Sequence, residues 1–378
     1  MTEEVNGELE EIPVQLEENG DDYSDDDLFN IISWGADLSF RELITMYEED
    51  ELLKPEIQRN YVWDKNEASR FIETILMGLP VPSIFLAKSG EDNLIVDGYQ
   101  RIMTVYDFVK RGLFSKDNSV FKLSNTKSIN ERWRGKSYGQ LTPEEKKRIR
   151  NSTIHAIIFD TKQTVKNDTS LYQVFERINT GGRQLLPQEI RNCIYHNDLN
   201  SLLIKLNKNE DWRNMFGDSS PDSRMRDIEY ILRYITLGSP SVKNDDGQQI
   251  ILKKSLNIYM GESTNSSKEN LTKIDNEFKT VVNFLYNSLG KTAFSNFKDG
   301  KPTKFHPAIF DSIMVATTYV LSKGIELEQF KKTLAAKKME LIENEEFKEY
   351  ISERTTRIDH INGRINLATG ILYGISYA

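Results

Sequence analysis

Residues 95–101 read Ile-Val-Asp-Gly-Tyr-Gln-Arg and combine the groups that a phosphate-binding turn needs. An apolar run typical of a buried strand leads into an Asp-Gly turn, and helical spacing begins directly after it. Backbone N–H groups at the start of a helix bind anions, and Arg101 adds a positive charge. Asp97 at the strand end could hold Mg²⁺ or orient a water. A turn in which Asp97 merely caps the helix is equally compatible with this spacing.

Two further clusters have a similar character. Residues 55–63, Pro-Glu-Ile-Gln-Arg-Asn-Tyr-Val-Trp, gather polar and aromatic side chains just before a predicted helix. Residues 175–182, Phe-Glu-Arg-Ile-Asn-Thr-Gly-Gly, end a helix in a glycine pair. Taken singly, the first is also typical of a strand with a buried Trp, and the second of a glycine helix cap.

Together with Gly-x-Pro-x-Pro at 78–82, these motifs resemble, in order, those of one family. It is the Asp-Gly-Gln-Gln-Arg family, the N-terminal component of GmrSD-type modification-dependent restriction enzymes. The nucleotide-hydrolysing half of a phosphorothioation-sensing defence protein is similar. The resemblance covers residues 38–200 and continues more weakly to the closing segment 354–364. The matching residues are Gln58, Arg59, Tyr61, Trp63, Gly78, Pro80, Pro82, Asp97, Gly98, Gln100, Arg101, Asn179, Gly181 and Gly182.

The resemblance implies a ParB/sulfiredoxin-like α/β fold followed by helices, and a site for ATP or GTP with Mg²⁺. Hydrolysis would be coupled to sensing or cutting foreign DNA. As the implied catalytic residues, Asp97 would serve the metal or position water, Arg101 would contact phosphate, and Gln100 would orient the phosphates or the attacking water. The implied nucleotide-binding residues are Gln58, Arg59, Gly98, Tyr99, Asn179, Thr180, Gly181 and Gly182.

One position departs from the family motif. Tyr99 stands where the family has its first Gln. A Tyr side chain can donate one hydrogen bond and can stack, but it cannot present the paired donor and acceptor of an amide. We therefore expect nucleotide binding to survive and hydrolysis to be slow.

The chain offers little sign of a nuclease centre of its own. Asp359-His360-Ile361-Asn362 superficially resembles an HNH motif, but the short remainder favours an ordinary helix over 355–365. His155, His196, His306 and His360 are too widely spaced to predict a metal cluster. Cys193, in a predicted helix, is expected to be a buried structural thiol. We therefore expect a separate nuclease partner subunit.

Two basic runs are the candidates for DNA contact, because they lie close together with an aromatic residue between charges. A solvated face of an amphipathic helix that opens at Pro143 is the competing interpretation. The candidate residues are Arg132, Arg134, Lys146, Lys147, Arg148 and Arg150.

Local signals define the elements that must position these residues. Ser39 and the Asp64-x-x-Glu67 capping box predict helix starts, and Gly78 predicts a helix end. Short strands are predicted at Ser83–Lys88, 94–96 and 154–159. From about residue 165 the helical period dominates, interrupted by a polar surface excursion over 239–268.

These elements predict an α+β protein, with a small α/β unit followed by an all-helical domain. The resemblance implies that the α/β unit is ParB/sulfiredoxin-like. The predicted divisions are an acidic, disordered tail over 1–37, a nucleotide-binding domain over 38–165, and a helical domain over 166–378. No repeats are visible in the sequence.

Charge is distributed unevenly along the 378 residues. The chain has 58 acidic against 49 basic residues and a formal net charge of -9. Residues 1–30 hold 12 carboxylates and no Lys or Arg, which leaves 46 acidic against 49 basic residues elsewhere. The acidity therefore belongs to the tail, which either aids solubility or competes with nucleic acid as an intramolecular polyanion.

The single Cys excludes a disulfide framework. No apolar run approaches the roughly 20 residues of a membrane helix, and the acidic N-terminus is unlike a signal peptide. The sequence predicts a cytoplasmic, nucleotide-dependent sensor or regulatory subunit of a restriction or anti-phage system. The alternatives are a nuclease activity of the α/β unit itself and a binding module without turnover. The nucleotide, the DNA modification and the oligomeric state stay open.

Overall fold

In the computed structural model, the described residues form two compact units. One contains the residues from 28 to 185 with 189–195, and the other contains 186–188 and the residues from 197 onward. The acidic segment 1–27 lies outside the described residues. Those are 28, 31–53, 61, 63–161, 169–178, 185–195, 197–239, 251–298, 300–353 and 355–377.

The first unit is built on a five-stranded mixed sheet with the order β1-β5-β3-β4-β2. β5 pairs antiparallel with β1 and parallel with β3, while β4 pairs antiparallel with β3 and parallel with β2. The strands are β1 (Ile31–Ser39), β2 (Leu52–Leu53), β3 (Ile84–Ser89), β4 (Asp92–Asp97) and β5 (Thr153–Thr161).

Helices cover both faces of this sheet. The helices are α1 (Phe40–Glu48), α2 (Lys65–Met77), α3 (Tyr99–Tyr106), α4 (Pro143–Asn151), α5 (Ser170–Ile178) and α6 (Pro187–Ile194). The helices α1 to α4 contribute to one buried cluster, and a second cluster joins β3 and β4 to α5 and α6. The first unit therefore includes two helices that the sequence analysis had placed beyond a boundary at residue 165.

The predicted helix signals act as expected. The Ser39 hydroxyl accepts from the backbone N–H of Glu42 at the start of α1. Asp64 and Glu67 form the predicted capping box of α2, and Gly78 ends that helix in the left-handed conformation. These positions are satisfied by neighbours in the sequence, which is why the sequence predicts them.

Two strands of the sheet were not predicted. β1 occupies residues 31–39 and so crosses the predicted division at residue 37 between the acidic tail and the nucleotide-binding domain. The strand is an edge strand and largely exposed, so it lacks the apolar alternation that marks a half-buried strand. β2 has only two residues, too few for any periodicity to show.

The second unit is mainly helical. Its helices are α7 (Asp198–Leu206), α8 (Glu210–Phe216), α9 (Arg226–Leu237), α10 (Leu252–Gly261), α11 (Lys268–Leu289), α12 (Pro307–Ser322), α13 (Leu334–Glu343), α14 (Glu345–Ser352) and α15 (Ile358–Tyr373). The mixed α+β class is confirmed, but the second unit is not all-helical, because β6 (Ser295–Lys298) and β7 (Lys301–Phe305) form an antiparallel hairpin. In addition, α10 lies within the predicted surface excursion over 239–268.

Candidate functional site

The turn between β4 and α3 presents a carboxylate to solvent. Asp97 ends β4 with its side chain 52% exposed. Gly98 follows with a φ of 106°, in the left-handed region that favours glycine. A β-carbon at this position would lie 2.2 Å from Cγ2 of Ile84, at the start of β3. Backbone conformation and space therefore both require glycine here, and the turn is held tightly against β3.

Arg101 connects this turn to the residues that precede β3. Its guanidinium donates to the carbonyl oxygens of Pro82, at 3.0 Å, and Ser83, at 2.5 Å. It also forms an ion pair with Asp97, one helical turn earlier. The side chain is only 14% exposed, so its positive charge is shared with Asp97 and is not presented alone to solvent. A phosphate at this turn would compete with Asp97 for Arg101.

The segment that precedes α2 is fastened to α3. The backbone N–H of Trp63 donates to Oε1 of Gln100 at 3.4 Å. Thr104 Oγ1 donates to the backbone carbonyl of Gln100, and the Tyr61 hydroxyl lies 2.6 Å from the same Oγ1 and therefore donates to it. The Tyr-x-Trp, Gly-x-Pro-x-Pro and Asp-Gly-x-Gln-Arg motifs thus meet around the first turns of α3.

Thr104 and Ile84 are positioning residues that sequence reasoning missed. Thr104 is fully buried and links Tyr61 to α3, while Ile84 fixes the approach of Gly98. The only sequence signal for the role of Thr104 is its position one helical turn after Gln100. Nothing in the sequence indicates its long-range contact with Tyr61.

Tyr99, which was predicted to bind nucleotide, is buried in the structure. Its side chain is only 9% exposed and belongs to the main buried cluster of the first unit. Burial raises the pKa of its hydroxyl to about 12, with Tyr47 nearby adding to the effect. The departure from the family motif therefore falls in the core, and the solvent side of the turn keeps Asp97 and Gln100.

Several candidate residues cannot be placed. Gln58, Arg59, Asn179, Thr180, Gly181 and Gly182 lie outside the described residues. The helix that leads to the last four, α5, shares a buried cluster with Val96 of β4 through Tyr172 and Phe175. This packing brings α5 to the strand that ends in Asp97.

The carboxylate of Asp97 could act as a ligand of a magnesium ion that is bound to a nucleotide. It is less suited to hold a metal ion on its own. Within the described ranges no group of three or more His, Cys, Asp or Glu side chains could hold a metal ion. Mg²⁺ is commonly bound through one or two carboxylates together with substrate phosphates. A single half-exposed carboxylate beside a helix N-terminus fits that mode.

The predicted basic runs are largely engaged in local contacts. Arg132 pairs with Glu145 at 2.9 Å, and Arg134 donates to the carbonyl of Ile129 at 2.6 Å. Lys146 donates to Gly139, and Arg148 donates to Leu76 of α2. Lys147 and Arg150 also lie on exposed positions of α4.

The buried carboxylate of Glu145 accepts hydrogen bonds from several residues of this region. Its Oε1 accepts from the Trp133 indole at 2.8 Å, and its Oε2 accepts from the backbone of Thr142 at 2.9 Å. Burial acts to raise the pKa of Glu145, but these hydrogen bonds and Arg132 outweigh it and lower the pKa. Trp133 is therefore packed against α4 and is not a stacking platform for a base.

The remaining isolated candidates are structural. His155 Nδ1 lies 2.8 Å from Asp37 across the β1–β5 ladder, and its ring packs against Gly35. Cys193 is buried, as predicted. Asp359 and His360 lie in the first turn of α15, which confirms the helix interpretation of the HNH-like motif.

Comparison with known families decides what the first unit is. Residues 40–196 match the family described as the GmrSD restriction endonuclease, N-terminal domain. This segment is a GmrSD-type N-terminal domain. The match begins at α1 and includes α5 and α6, so the GmrSD-type domain contains the three motifs that meet at α3.

Among curated proteins, none matches the chain. No helix in the described part of the chain is long and apolar enough to cross a membrane.

Proposed function

We propose that the GmrSD-type domain binds a nucleoside triphosphate with Mg²⁺ at the turn formed by residues 97–101. The chain would act as a nucleotide-dependent component of a DNA restriction system, with a separate nuclease subunit. The observation that carries this proposal is the meeting of three separated motifs at the start of α3, around the half-exposed carboxylate of Asp97.

Each side chain at the turn has a defined part in this proposal. Asp97 would hold the metal ion, which would neutralise charge on the phosphates when bound. With Asp97 engaged as a metal ligand, the guanidinium of Arg101 would face a phosphate while keeping its bonds to Pro82 and Ser83. Gln100, whose Oε1 accepts from the Trp63 backbone, would orient the phosphates or the attacking water.

Hydrolysis would rest on Asp97 and Gln100. Because Tyr99 lies in the core, its replacement of the family's Gln leaves the solvent-facing groups in place. This location supports turnover, whereas the sequence alone favoured slow hydrolysis.

Calorimetric titration with ATP and GTP in the presence of Mg²⁺ tests the proposal. The full chain should bind one of them, and Asp97→Asn should weaken binding at least roughly tenfold, since a charged metal ligand contributes more than about 1.4 kcal/mol. Asp92→Asn is the matched control, because it makes the same charge change at the opposite end of β4.

Two outcomes would count against the site. Absence of heat with any nucleotide, together with no phosphate release, would overturn the assignment. Plasmid nicking with Mg²⁺ that disappears in Asp97→Asn would instead favour a nuclease function of this domain.

A further inference from the structure

The β6–β7 hairpin is rich in exposed lysines. The strands β6 and β7 pair in antiparallel fashion, and Gly300, directly before β7, has a φ of 73°. Lys298, Lys301 and Lys304 are all exposed on it. Residues 291–305 contain four lysines against one acidic residue, Asp299, although the whole chain has a net charge of -9.

The arrangement of two of these lysines opposes the stability of the hairpin. Lys298 and Lys301 are direct partners across the two strands. Like charges directly opposite each other in an antiparallel pair are destabilising. A short ribbon would be more stable with an acidic or neutral side chain at either position. The repulsion would be relieved by an anion placed between the two ammonium groups.

The base of the hairpin is firmly held. Phe305 at the end of β7 packs against Trp212, with ring centroids 5.8 Å apart, and against Phe310, 5.4 Å apart. The backbone N–H of His306 donates to the carbonyl of Phe294 at 2.9 Å. The tip, with its lysines, extends into solvent, while the base of the hairpin is fixed by packing. The lysines therefore lie on a well-anchored pair of strands.

Lys338 of α13 supports the other strand. Its ammonium group donates to the carbonyl of Thr292 and lies 5.3 Å from the ring centroid of Phe297 in β6. Burial lowers the pKa of Lys338 to about 8, so the group still carries its charge at neutral pH. This buried charge adds to the positive potential of the ribbon.

We propose that the β6–β7 ribbon binds the phosphate backbone of duplex DNA through Lys298 and Lys301. The proposal rests on the assignment of the chain to a DNA restriction system. A two-stranded ribbon is narrow enough for a DNA groove, and lysine ammonium groups bind phosphates as point charges. The contacts proposed for Lys298 and Lys301 are to phosphates, which fix the position of a protein on the duplex but carry no sequence information. The ribbon therefore contacts DNA independently of sequence.

Fluorescence anisotropy of a short labelled duplex, titrated with the full chain at several salt concentrations, tests this. The double variant Lys298→Gln/Lys301→Gln should bind roughly tenfold more weakly, and its salt slope should be shallower by about two, because two phosphate contacts are lost. Lys298→Arg/Lys301→Arg keeps the charges and should retain both affinity and slope. Lys279→Gln/Lys348→Gln is the matched control, since it removes the same charge from exposed lysines on α11 and α14.

A competing role for these lysines gives the opposite result. Lysine and proline on an exposed strand protect its free edge from pairing with other chains. Unchanged DNA affinity and salt slope in the Gln variant, with new aggregation in light scattering, would overturn the proposal in favour of edge protection.

Nucleotide titrations of the same proteins separate this proposal from the preceding one. Nucleotide binding with no duplex binding by the unmodified chain would overturn the ribbon proposal alone. Duplex binding that depends on Lys298 and Lys301, without any nucleotide heat, would support the ribbon and overturn the nucleotide site.

Discussion

Ile84 occupies the space that a side chain at position 98 would need. The Cγ2 atom of Ile84 would be 2.2 Å from a β-carbon on Gly98, much closer than two carbon atoms can approach. Ile84 is also fully buried and pairs with Ala156 of β5. It therefore cannot yield without disturbing the centre of the sheet, so the position of the Asp97 turn is set by β3.

Gly98→Ala should lower the free energy of unfolding of the first unit by roughly 3 kcal/mol. The left-handed φ and the clash with Ile84 each contribute about 1–2 kcal/mol. Urea titration followed by circular dichroism measures this loss. Nucleotide binding should also decline, because the turn must shift away from β3.

Gly112→Ala is the matched control for that substitution. Gly112 also has a positive φ, of 66°, but no atom lies within 4 Å of its β-carbon position. Gly112→Ala should therefore lower the free energy of unfolding by only about 1 kcal/mol, which is the cost of a left-handed φ. Equal losses in the two variants would show that Ile84 does not constrain the turn.

Arg101→Ala should destabilise the domain more than Asp97→Ala. Arg101 is the donor for the Pro82 and Ser83 carbonyls, so its removal should cost about 2–3 kcal/mol. Asp97 is half exposed and contributes a surface-type ion pair, worth less than about 1 kcal/mol. Thermal unfolding of both variants compares the two. A larger loss for Asp97→Ala would contradict the bracing role of Arg101.

Tyr99→Gln, which restores the family motif, should not increase nucleotide hydrolysis. The substitution replaces a buried ring by a polar amide and should cost roughly 3 kcal/mol of stability. Tyr99→Phe keeps the ring and should cost about 1 kcal/mol at most. Phosphate release measured beside the unmodified chain checks this, and a gain of activity in Tyr99→Gln would place the side chain in the site after all.

Tyr61 and Thr104 should be energetically coupled. Their hydroxyl oxygens are 2.6 Å apart in a buried position, which predicts an interaction energy of about 1 kcal/mol in a double-mutant cycle. Tyr61→Phe, Thr104→Val and the combined variant complete the cycle, with unfolding free energies as the measurement. Additive losses would mean that the segment before α2 is not anchored through this bond.

His306 should make the second unit sensitive to mild acid. Burial lowers the pKa of His306 to about 4 despite the opposing effect of Asp311, and the charges of Arg364 and Arg233 also act to lower it. Between pH 6.5 and 4 the unfolded chain therefore binds a proton that the folded chain does not, so stability is lost as pH falls through this window. The loss should reach about 2 kcal/mol at pH 5.

His306→Phe removes this titration and gives the comparison. The unfolding free energies of the unmodified chain and of His306→Phe are measured at pH 7 and at pH 5. The difference between the two proteins should change between these pH values by the contribution of His306. A constant difference would mean that His306 has the same pKa in the folded and the unfolded chain.

Local sequence signals predicted the parts of the fold that depend on local contacts. Ser39, the Asp64–Glu67 box and Gly78 each satisfy backbone groups within a few residues, and the predicted helix boundaries follow from them. The motifs at residues 61–63 and 97–101 were likewise visible as clusters, and the structure brings them together. The prediction of catalytic roles at this turn stays a prediction.

The features that escaped prediction depend on distant partners. The exposure of Tyr99 is decided by the cluster that α3 packs into, which no local pattern reveals. The β6–β7 hairpin depends on contacts of Phe305 with Trp212 of α8 and Phe310 of α12, and on the contact of Phe297 with Lys338 of α13. The engagement of Arg132 and Arg148 was hidden for the same reason, since Leu76 is 72 residues from Arg148.

The place of β5 in the sheet has a consequence for the newly made chain. β5 is the only neighbour of β1 among the described strands, and the paired residues Asp37 and His155 are 118 residues apart. Chains emerge from the ribosome N-terminus first, so β1 has no strand of its own sheet to pair with until β5 has been synthesised. During that interval the backbone groups of β1 are open to pairing with strands of other chains, as at any free sheet edge.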